Sequence, residues 1–150
     1  MIVKSLDHLN KISKIISHKL ENGDYIFLIG EIGVGKTTLS RYLINNLQNQ
    51  KGLKKTEVLS PTFNLLYEYE IKDLKIMHYD LYRINKTSEL DNLGIFLENE
   101  KTVKIIEWPG LIKTPLNNKL EIHLEYGESD NERKMKIHGS DKWKDLKNEV

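Results

Sequence analysis

The chain has 150 residues, 23 Lys and Arg against 22 Asp and Glu, and no cysteine. This length predicts a single domain, residues 1–150, and the lack of thiols excludes a disulfide framework, a cysteine nucleophile and thiolate metal centres. The net charge of +1 argues against a dedicated nucleic-acid binder, which normally carries a clear basic excess. No signal-peptide pattern and no apolar stretch of membrane-spanning length occurs, so we expect a soluble, cytoplasmic protein.

In chain order, the first predicted element is a helix over residues 5–20, where apolar residues recur at helical spacing after Ser5 as N-cap. Five apolar residues at 25–29 predict a strand covered on both faces. A glycine-rich turn and a helix from about Lys36 to Leu47 follow. The remaining predicted elements are a hairpin of residues 65–69 and 76–80, a short helix over 88–93 ended by Gly94, a strand over 103–107, a hairpin of 120–126 and 133–137, and an amphipathic helix from Asp141. Together they predict an α/β fold with a mixed, mainly parallel sheet flanked by helices, with antiparallel hairpins.

The turn at residues 30–37, GEIGVGKT, matches the Walker A pattern G-x-x-x-x-G-K-[ST] at every fixed position. In such loops the glycines let backbone N–H groups surround a phosphate, and the following helix presents its positive end to the same anion. We expect Lys36 to reach the β- and γ-phosphates and the Thr37 hydroxyl to bind Mg²⁺. Because a strand precedes the loop and a helix follows it, the sequence predicts a nucleotide site in a P-loop NTPase-like fold.

ATP is the expected nucleotide. A GTPase would need a guanine-reading N-K-x-D element, but the Asn-Lys pairs at 85–86 and 118–119 are followed by Thr-Ser and Leu-Glu. Residues 91–94, DNLG, resemble a GTPase D-x-x-G motif. They lack a preceding apolar strand, however, and fit better the end of a helix with a glycine cap.

Two acidic residues end predicted strands, Asp80 after residues 76–79 and Glu107 after residues 103–106. Walker-type sites place an acid at the end of a strand beside the loop, where it holds Mg²⁺ or its water shell. One of the two acids could complete a Mg²⁺ site with Thr37 while the other orients water or the γ-phosphate. Their spacing alone does not assign the two roles.

Four further features near these motifs each have two interpretations. His78 fits a packed core histidine as well as a ligand, and Trp108 fits a core residue as well as a functional aromatic. The turn SPTF at 60–63 could contact the γ-phosphate or only start the next strand. Arg83 could be a phosphate clamp or a structural ion-pair donor.

Five motifs occur in the order and spacing of the TsaE (YjeE) family, and the resemblance covers almost the whole chain. They are GEIGVGKTTLSR at 30–41, SPTF at 60–63 followed by YEY at 67–69, HYDLYR at 78–83, ELDNLG at 89–94, and IEWP at 106–109. This resemblance implies a small Mg²⁺-dependent ATPase needed to make threonylcarbamoyladenosine on tRNA. It also implies partners, the TsaB–TsaD complex, through which the chain would reach tRNA indirectly.

The resemblance implies roles for individual residues as well. Thr37 and Glu107 would hold Mg²⁺, Asp80 would lie at the γ-phosphate and act in hydrolysis, and Lys36 would be catalytic with these two acids. The residues that it places at the nucleotide are Asp7, Gly33, Val34, Gly35, Lys36, Thr37, Thr38, Asp80, Trp108, Gly110 and Arg133.

Two other functions stay open, a P-loop small-molecule kinase and an ATP-gated binding module whose turnover is incidental. Kinases of this kind commonly carry a mobile lid with arginines over the phosphates. The chain has only Arg41, Arg83 and Arg133, with no arginine-rich segment. Its small size also leaves little room for a second-substrate domain, which favours an ATPase that acts on partner proteins.

Overall fold

The computed structural model describes residues 1–97 and 101–150. Within these ranges the strands and helices alternate along much of the chain, and none of the helices is long and apolar enough to cross a membrane. The elements are β1 (Ile2–Val3), α1 (Leu6–Lys19), β2 (Tyr25–Ile29), α2 (Lys36–Gln50), β3 (Leu66–Ile71), β4 (Leu74–Asp80), α3 (Ser88–Asp91), β5 (Val103–Glu107), β6 (Lys119–Tyr126), β7 (Arg133–Gly139), and 3₁₀ turns at Pro109–Leu111, Asp141–Trp143 and Leu146–Asn148.

The strands form one seven-stranded sheet in the order β1-β7-β6-β2-β5-β4-β3. The four central strands, β6, β2, β5 and β4, run parallel to one another. The outer pairings, β1 with β7, β7 with β6, and β3 with β4, are antiparallel. The predicted fold class is therefore confirmed, with the parallel pairings confined to the centre of the sheet.

Both faces of the sheet are buried, which explains the continuous apolar run of β2. Ile26 and Leu28 point into a core that β2 shares with α1 and α2, whereas Phe27 points to the opposite face. That second face is covered by α3 and by loops that contribute Leu90 and Ile95. A strand buried on both sides has no solvent face that would require polar residues.

Helix α1 begins as the sequence predicts. Ser5 has an extended backbone, and its Oγ accepts a hydrogen bond of 3.1 Å from the backbone N–H of His8, which caps the helix. Leu9, Ile12 and Ile16 form one buried face, because residues three and four apart lie on the same side of a helix. Helix α2 starts at Lys36 as predicted and extends three residues beyond Leu47.

Further differences from the sequence predictions concern β1, α3 and the C-terminal segment. Strand β1 was not predicted, since two residues carry no period. Helix α3 is shorter than 88–93, because Leu93 N–H already bonds the Leu90 carbonyl three residues back, as in a turn. The helix predicted from Asp141 forms only as two short 3₁₀ turns, and Asp141 has a left-handed backbone (φ +54°) while its Oδ2 accepts the Asn118 N–H at 2.8 Å.

Candidate functional site

The Walker A loop connects β2 to α2 at the carboxyl end of the parallel strands. Gly30, Gly33 and Gly35 have positive φ angles of 153°, 76° and 119°. At Gly30 a Cβ would collide with the Leu124 backbone oxygen and lie 2.9 Å from Val34 Cγ1, so this position requires glycine. The loop thus leads directly into the N-terminus of α2, whose unpaired N–H groups form an anion-binding end.

Lys36 lies buried at the start of α2. Its Nζ donates hydrogen bonds to the carbonyl oxygens of Gly30 (2.7 Å) and Glu31 (2.8 Å), and it lies 4.2 Å from the ring centroid of Trp108. Burial lowers the pKa of Lys36 from its ordinary value, and the neighbouring Glu107 and Asp80 carboxylates oppose that shift only in part. The ammonium group therefore lies at the loop, next to both predicted acids.

The two strand-end acids lie side by side. In the pairing of β4 with β5, Asp80 is the partner of Glu107, because both end parallel strands at the same edge of the sheet. Both side chains are buried, 3% and 2% exposed. The structure thus brings Asp80 and Glu107 together beside the loop, as the sequence predicts.

Glu107 is held by three side chains. Its Oε2 accepts a hydrogen bond from Thr37 Oγ1 at 3.1 Å, and its Oε1 lies 2.8 Å from His78 Nε2 and 3.3 Å from Ser40 Oγ. Thr37 and Glu107, the two residues implied to hold Mg²⁺, are therefore in direct contact. Both offer oxygen atoms, the ligands that Mg²⁺ prefers.

Asp80 is held by the opposite wall of the site. Its Oδ1 accepts the backbone N–H of Tyr82 at 2.9 Å, and its Oδ2 accepts a hydrogen bond from Thr62 Oγ1 at 3.0 Å. Thr62 in turn lies 2.8 Å from Ser60, hydroxyl to hydroxyl. The turn at 60–63 therefore contacts the predicted catalytic acid, whereas Phe63 beside it is 81% exposed.

A cavity of about 340 Å³ joins these groups. It is lined by Ile32, Gly33, Gly35, Lys36, Thr37, Thr38, Ser60, Thr62, Asp80, Tyr82, Glu107 and Trp108. No group of three or more His, Asp or Glu side chains that could hold a metal occurs in residues 1–97 and 101–150. A Mg²⁺ ion fits this donor set, since it commonly takes one or two protein ligands and completes its shell with phosphate and water.

An adjoining cavity of about 610 Å³ contains the other predicted contacts from the ends of the chain. Asp7 at the start of α1, Val34 and Arg133 on β7 all line it, and it shares three residues with the first cavity, Gly33, Gly35 and Thr38. The side chain of Asp7 is exposed and pairs with that of Lys11 at 2.9 Å. The structure thus brings these distant residues to one side of the loop.

Gly110 is the one predicted contact outside both cavities. It lines a third cavity of about 500 Å³, together with Trp108 and Phe27, beneath the 3₁₀ turn Pro109–Leu111. Trp108 lines this cavity and the first one, and its backbone is left-handed (φ +59°). The role implied for Gly110 stays a prediction.

Two side chains of the β6–β7 hairpin form hydrogen bonds with the Walker A loop. Tyr126 OH donates to the Ile32 carbonyl at 2.7 Å, and Arg133 Nε donates to the Val34 carbonyl at 2.9 Å. The guanidinium of Arg133 also lies 4.8 Å from the centroid of the Tyr126 ring. Both side chains therefore bond backbone carbonyls of the Walker A loop.

Sequence reasoning missed Tyr126 and assigned no role to Ser40. Ser40 follows Lys36 by four residues, so helical spacing alone predicts that it lies on the same face of α2 as the loop lysine. No comparable signal exists for Tyr126, because its contact joins positions 94 residues apart.

Comparisons with known proteins agree with the motifs. The family described as Threonylcarbamoyl adenosine biosynthesis protein TsaE matches residues 3–135. Three proteins called tRNA threonylcarbamoyladenosine biosynthesis protein TsaE are similar to this chain. That of Rickettsia felis is 33% identical over 83% of this chain and 71% of its own, that of Rickettsia prowazekii 35% over 84% and 85%, and that of Aquifex aeolicus 31% over 92% and 94%.

The fold is also similar to that of a solved structure. The crystal structure of Bacillus subtilis YdiB matches with a TM-score of 0.73 at 24% sequence identity, covering 99% of this chain and 90% of that one.

Proposed function

Since this chain belongs to the TsaE family, and its role therefore lies in tRNA threonylcarbamoyladenosine biosynthesis, we propose that it supports that modification by binding and hydrolysing ATP with Mg²⁺. One observation carries the proposal. Lys36, Thr37, Asp80 and Glu107 converge on one cavity at the N-terminus of α2.

In the proposed complex the phosphates lie in the first cavity, where the N–H groups of the loop and the Lys36 ammonium neutralise their charge. The rest of the nucleotide extends into the adjoining cavity, next to Asp7 and Arg133. A small part of the Walker A loop, including Gly33, lines both cavities, which supports one ligand spanning them.

Thr37 and Glu107 would hold the Mg²⁺ ion, whose chemistry there is to neutralise charge on the phosphate oxygens. Asp80 orients the attacking water, since Thr62 and the Tyr82 N–H fix its carboxylate beside the cavity. That water adds to the γ-phosphorus as the bond from the γ-phosphorus to the β-phosphate oxygen breaks, and its proton passes to an oxygen of the released phosphate. Lys36 stabilises the negative charge of the phosphates.

We further propose that the partners are homologues of TsaB and TsaD, and that tRNA is reached through them in the cytoplasm. The near-neutral charge of the chain supports an indirect route, because direct binding to tRNA draws most of its affinity from basic side chains.

The test is to measure ATP hydrolysis by the chain alone, with a TsaB–TsaD complex, and with that complex plus tRNA. We expect slow turnover alone, faster turnover with the partners, and loss of turnover in Lys36→Ala and Glu107→Ala. Reconstituted tRNA modification with and without the chain completes the test. A rate that partners and tRNA leave unchanged would contradict the coupling, and modification that proceeds without the chain would contradict the function.

A second candidate is an ATP-gated binding module, and one contact favours it. Thr62 bonds Asp80 inside the site, while the next residue, Phe63, is largely exposed and lies 5.4 Å, ring centroid to guanidinium, from Arg83. Bound nucleotide could thus reposition an exposed aromatic for docking. Asp80→Ala distinguishes the two candidates, since a variant that binds ATP without hydrolysing it supports tRNA modification only if turnover is incidental.

A further inference from the structure

His78 lies in the middle of β4 and is fully buried. It precedes Asp80 by two residues, so both side chains leave the same face of the strand. Its Nε2 is 2.8 Å from Glu107 Oε1, the shortest hydrogen bond that the Glu107 carboxylate makes within the described part of the chain. Because a carboxylate only accepts, the imidazole Nε2 carries the hydrogen of this bond.

The second donor near Glu107 Oε1, the Ser40 hydroxyl, has two acceptors within hydrogen-bond distance. Ser40 Oγ lies 3.1 Å from the Lys36 carbonyl and 3.3 Å from Glu107 Oε1, and a hydroxyl has only one hydrogen to donate. His78 is therefore the dominant donor to Oε1. With Oε1 held by the imidazole, Oε2 faces Thr37 on the side of the cavity.

We propose that His78 is a positioning residue, which orients Glu107 so that its Oε2 and the Thr37 hydroxyl together receive Mg²⁺. This inference rests on the proposed Mg²⁺–ATP site. Carboxylates that bind metals are themselves held by hydrogen bonds, and loss of such a partner typically lowers metal affinity by about 10- to 100-fold. His78 is fully buried and does not line the first cavity, so it acts only through Glu107.

The experiment measures how the affinity of the full chain for a fluorescent ATP analogue depends on Mg²⁺ concentration. Gln places its amide nitrogen about as far from the backbone as His78 places Nε2, whereas the nitrogen of Asn falls about one bond short. We expect His78→Leu and His78→Asn to raise the half-saturating Mg²⁺ concentration by about tenfold or more. His78→Gln is expected to stay within about threefold of wild type, and nucleotide affinity in EDTA within about twofold for all three.

A second set of variants tests whether His78 affects Mg²⁺ binding through Glu107. In Glu107→Gln the residue that His78 positions is already disabled, so adding His78→Leu should leave Mg²⁺ dependence unchanged. Ser40→Ala is the matched control for the weaker donor to Oε1, and its effect should be smaller than that of His78→Asn.

Several results would overturn the inference. They are wild-type Mg²⁺ dependence in both His78→Leu and His78→Asn, an equal loss in His78→Gln and His78→Asn, and an undiminished effect of His78→Leu in the Glu107→Gln background. If His78→Leu does not fold, the comparison of the Gln and Asn variants decides. A different outcome would be a wild-type nucleotide affinity that does not depend on Mg²⁺ concentration. That result refutes the proposed metal site, and the inference about His78 fails with it.

Discussion

Lys36 carries its charge in a place where burial opposes it. Desolvation lowers its pKa below the ordinary value of 10.5, and the Glu107 and Asp80 carboxylates compensate only in part. The folded chain therefore holds the charged form less well than the unfolded chain does. Phosphates bound at the loop would add the negative charge that favours the ammonium, so one residue links affinity for an anion to a cost in stability.

This cost predicts a pH dependence of stability. As the pH falls from about 11 to about 8, the free energy of unfolding of the nucleotide-free wild type should fall relative to that of Lys36→Met. Above the unfolded pKa the amine is neutral in both states. Below that pKa the unfolded chain binds the proton first, which stabilises the unfolded state. Urea unfolding of both proteins across this range measures the difference, and a difference that does not vary with pH would contradict the lowered pKa.

Residue chemistry made much of the site predictable. Lys36 and Thr37 follow from the Walker A spacing, and Asp80 and Glu107 follow from acids that end apolar strands, because parallel strands bring their carboxyl ends to one edge. The sequence left the partners of these residues open. That His78 bonds Glu107 depends on the register of two strands, which no local pattern specifies.

At the scale of elements, the C-terminal segment shows why a helical pattern can mislead. Trp143 and Leu146 are three apart and both buried, a spacing that fits a 3₁₀ turn as well as an α-helix. Contacts with the start of β6 and the residue before it decide between them, since Ser140 N–H donates to the Lys119 carbonyl at 2.9 Å and Asn118 N–H donates to Asp141 Oδ2. Such long-range bonds outweigh local propensity and cannot be inferred from spacing.

The burial of Trp143 predicts a graded loss of stability. The residue is 1% exposed and lies in the core, yet its Nε1 has no hydrogen-bond partner among residues 1–97 and 101–150. Trp143→Ala should lower the free energy of unfolding by about 3–5 kcal/mol, because it leaves a cavity. Trp143→Phe should cost clearly less, since it keeps most of the packing and removes an unpaired donor.

Chemical denaturation of the two Trp143 variants beside Lys144→Ala checks this prediction. Lys144, the residue after Trp143, is exposed, and its loss should change stability by no more than about 0.5 kcal/mol. Equal losses for Trp143→Ala and Trp143→Phe would contradict the prediction, because Phe would then recover none of the packing that Ala loses.

At the scale of the whole molecule, the site depends on parts of the chain that are far apart in sequence. The loop follows β2, the two acids end β4 and β5, and the hairpin of β6 and β7 supplies Tyr126 and Arg133 to the loop carbonyls. The central parallel strands bring the loop and the two acids together, because their carboxyl ends lie at the same edge of the sheet. Ligands of open α/β sheets commonly bind at that edge. The hairpin then adds two hydrogen bonds to the loop that the Walker A motif alone does not predict.

These hydrogen bonds predict that Tyr126, which lies outside the first cavity, keeps the Walker A loop ordered. Tyr126→Phe removes the hydroxyl that bonds the Ile32 carbonyl and keeps the ring beside Arg133. One such hydrogen bond is worth about 0.5–1.5 kcal/mol, so the amides of the loop, residues 30–36, should exchange with deuterium about two- to tenfold faster. We expect affinity for Mg²⁺–ATP to fall by a similar factor, because part of the binding energy must then order the loop.

Tyr25→Phe is the matched control for this change. Tyr25 begins β2, at the end opposite the loop, and its hydroxyl also donates to a backbone carbonyl, that of Ile95, at 3.1 Å. Its loss should leave exchange in the loop and nucleotide affinity unchanged, although it costs similar stability. Exchange that rises equally in both variants would attribute the effect to general destabilisation. Faster exchange confined to Tyr126→Phe would mean that the hydrogen bond from the β6–β7 hairpin orders the Walker A loop.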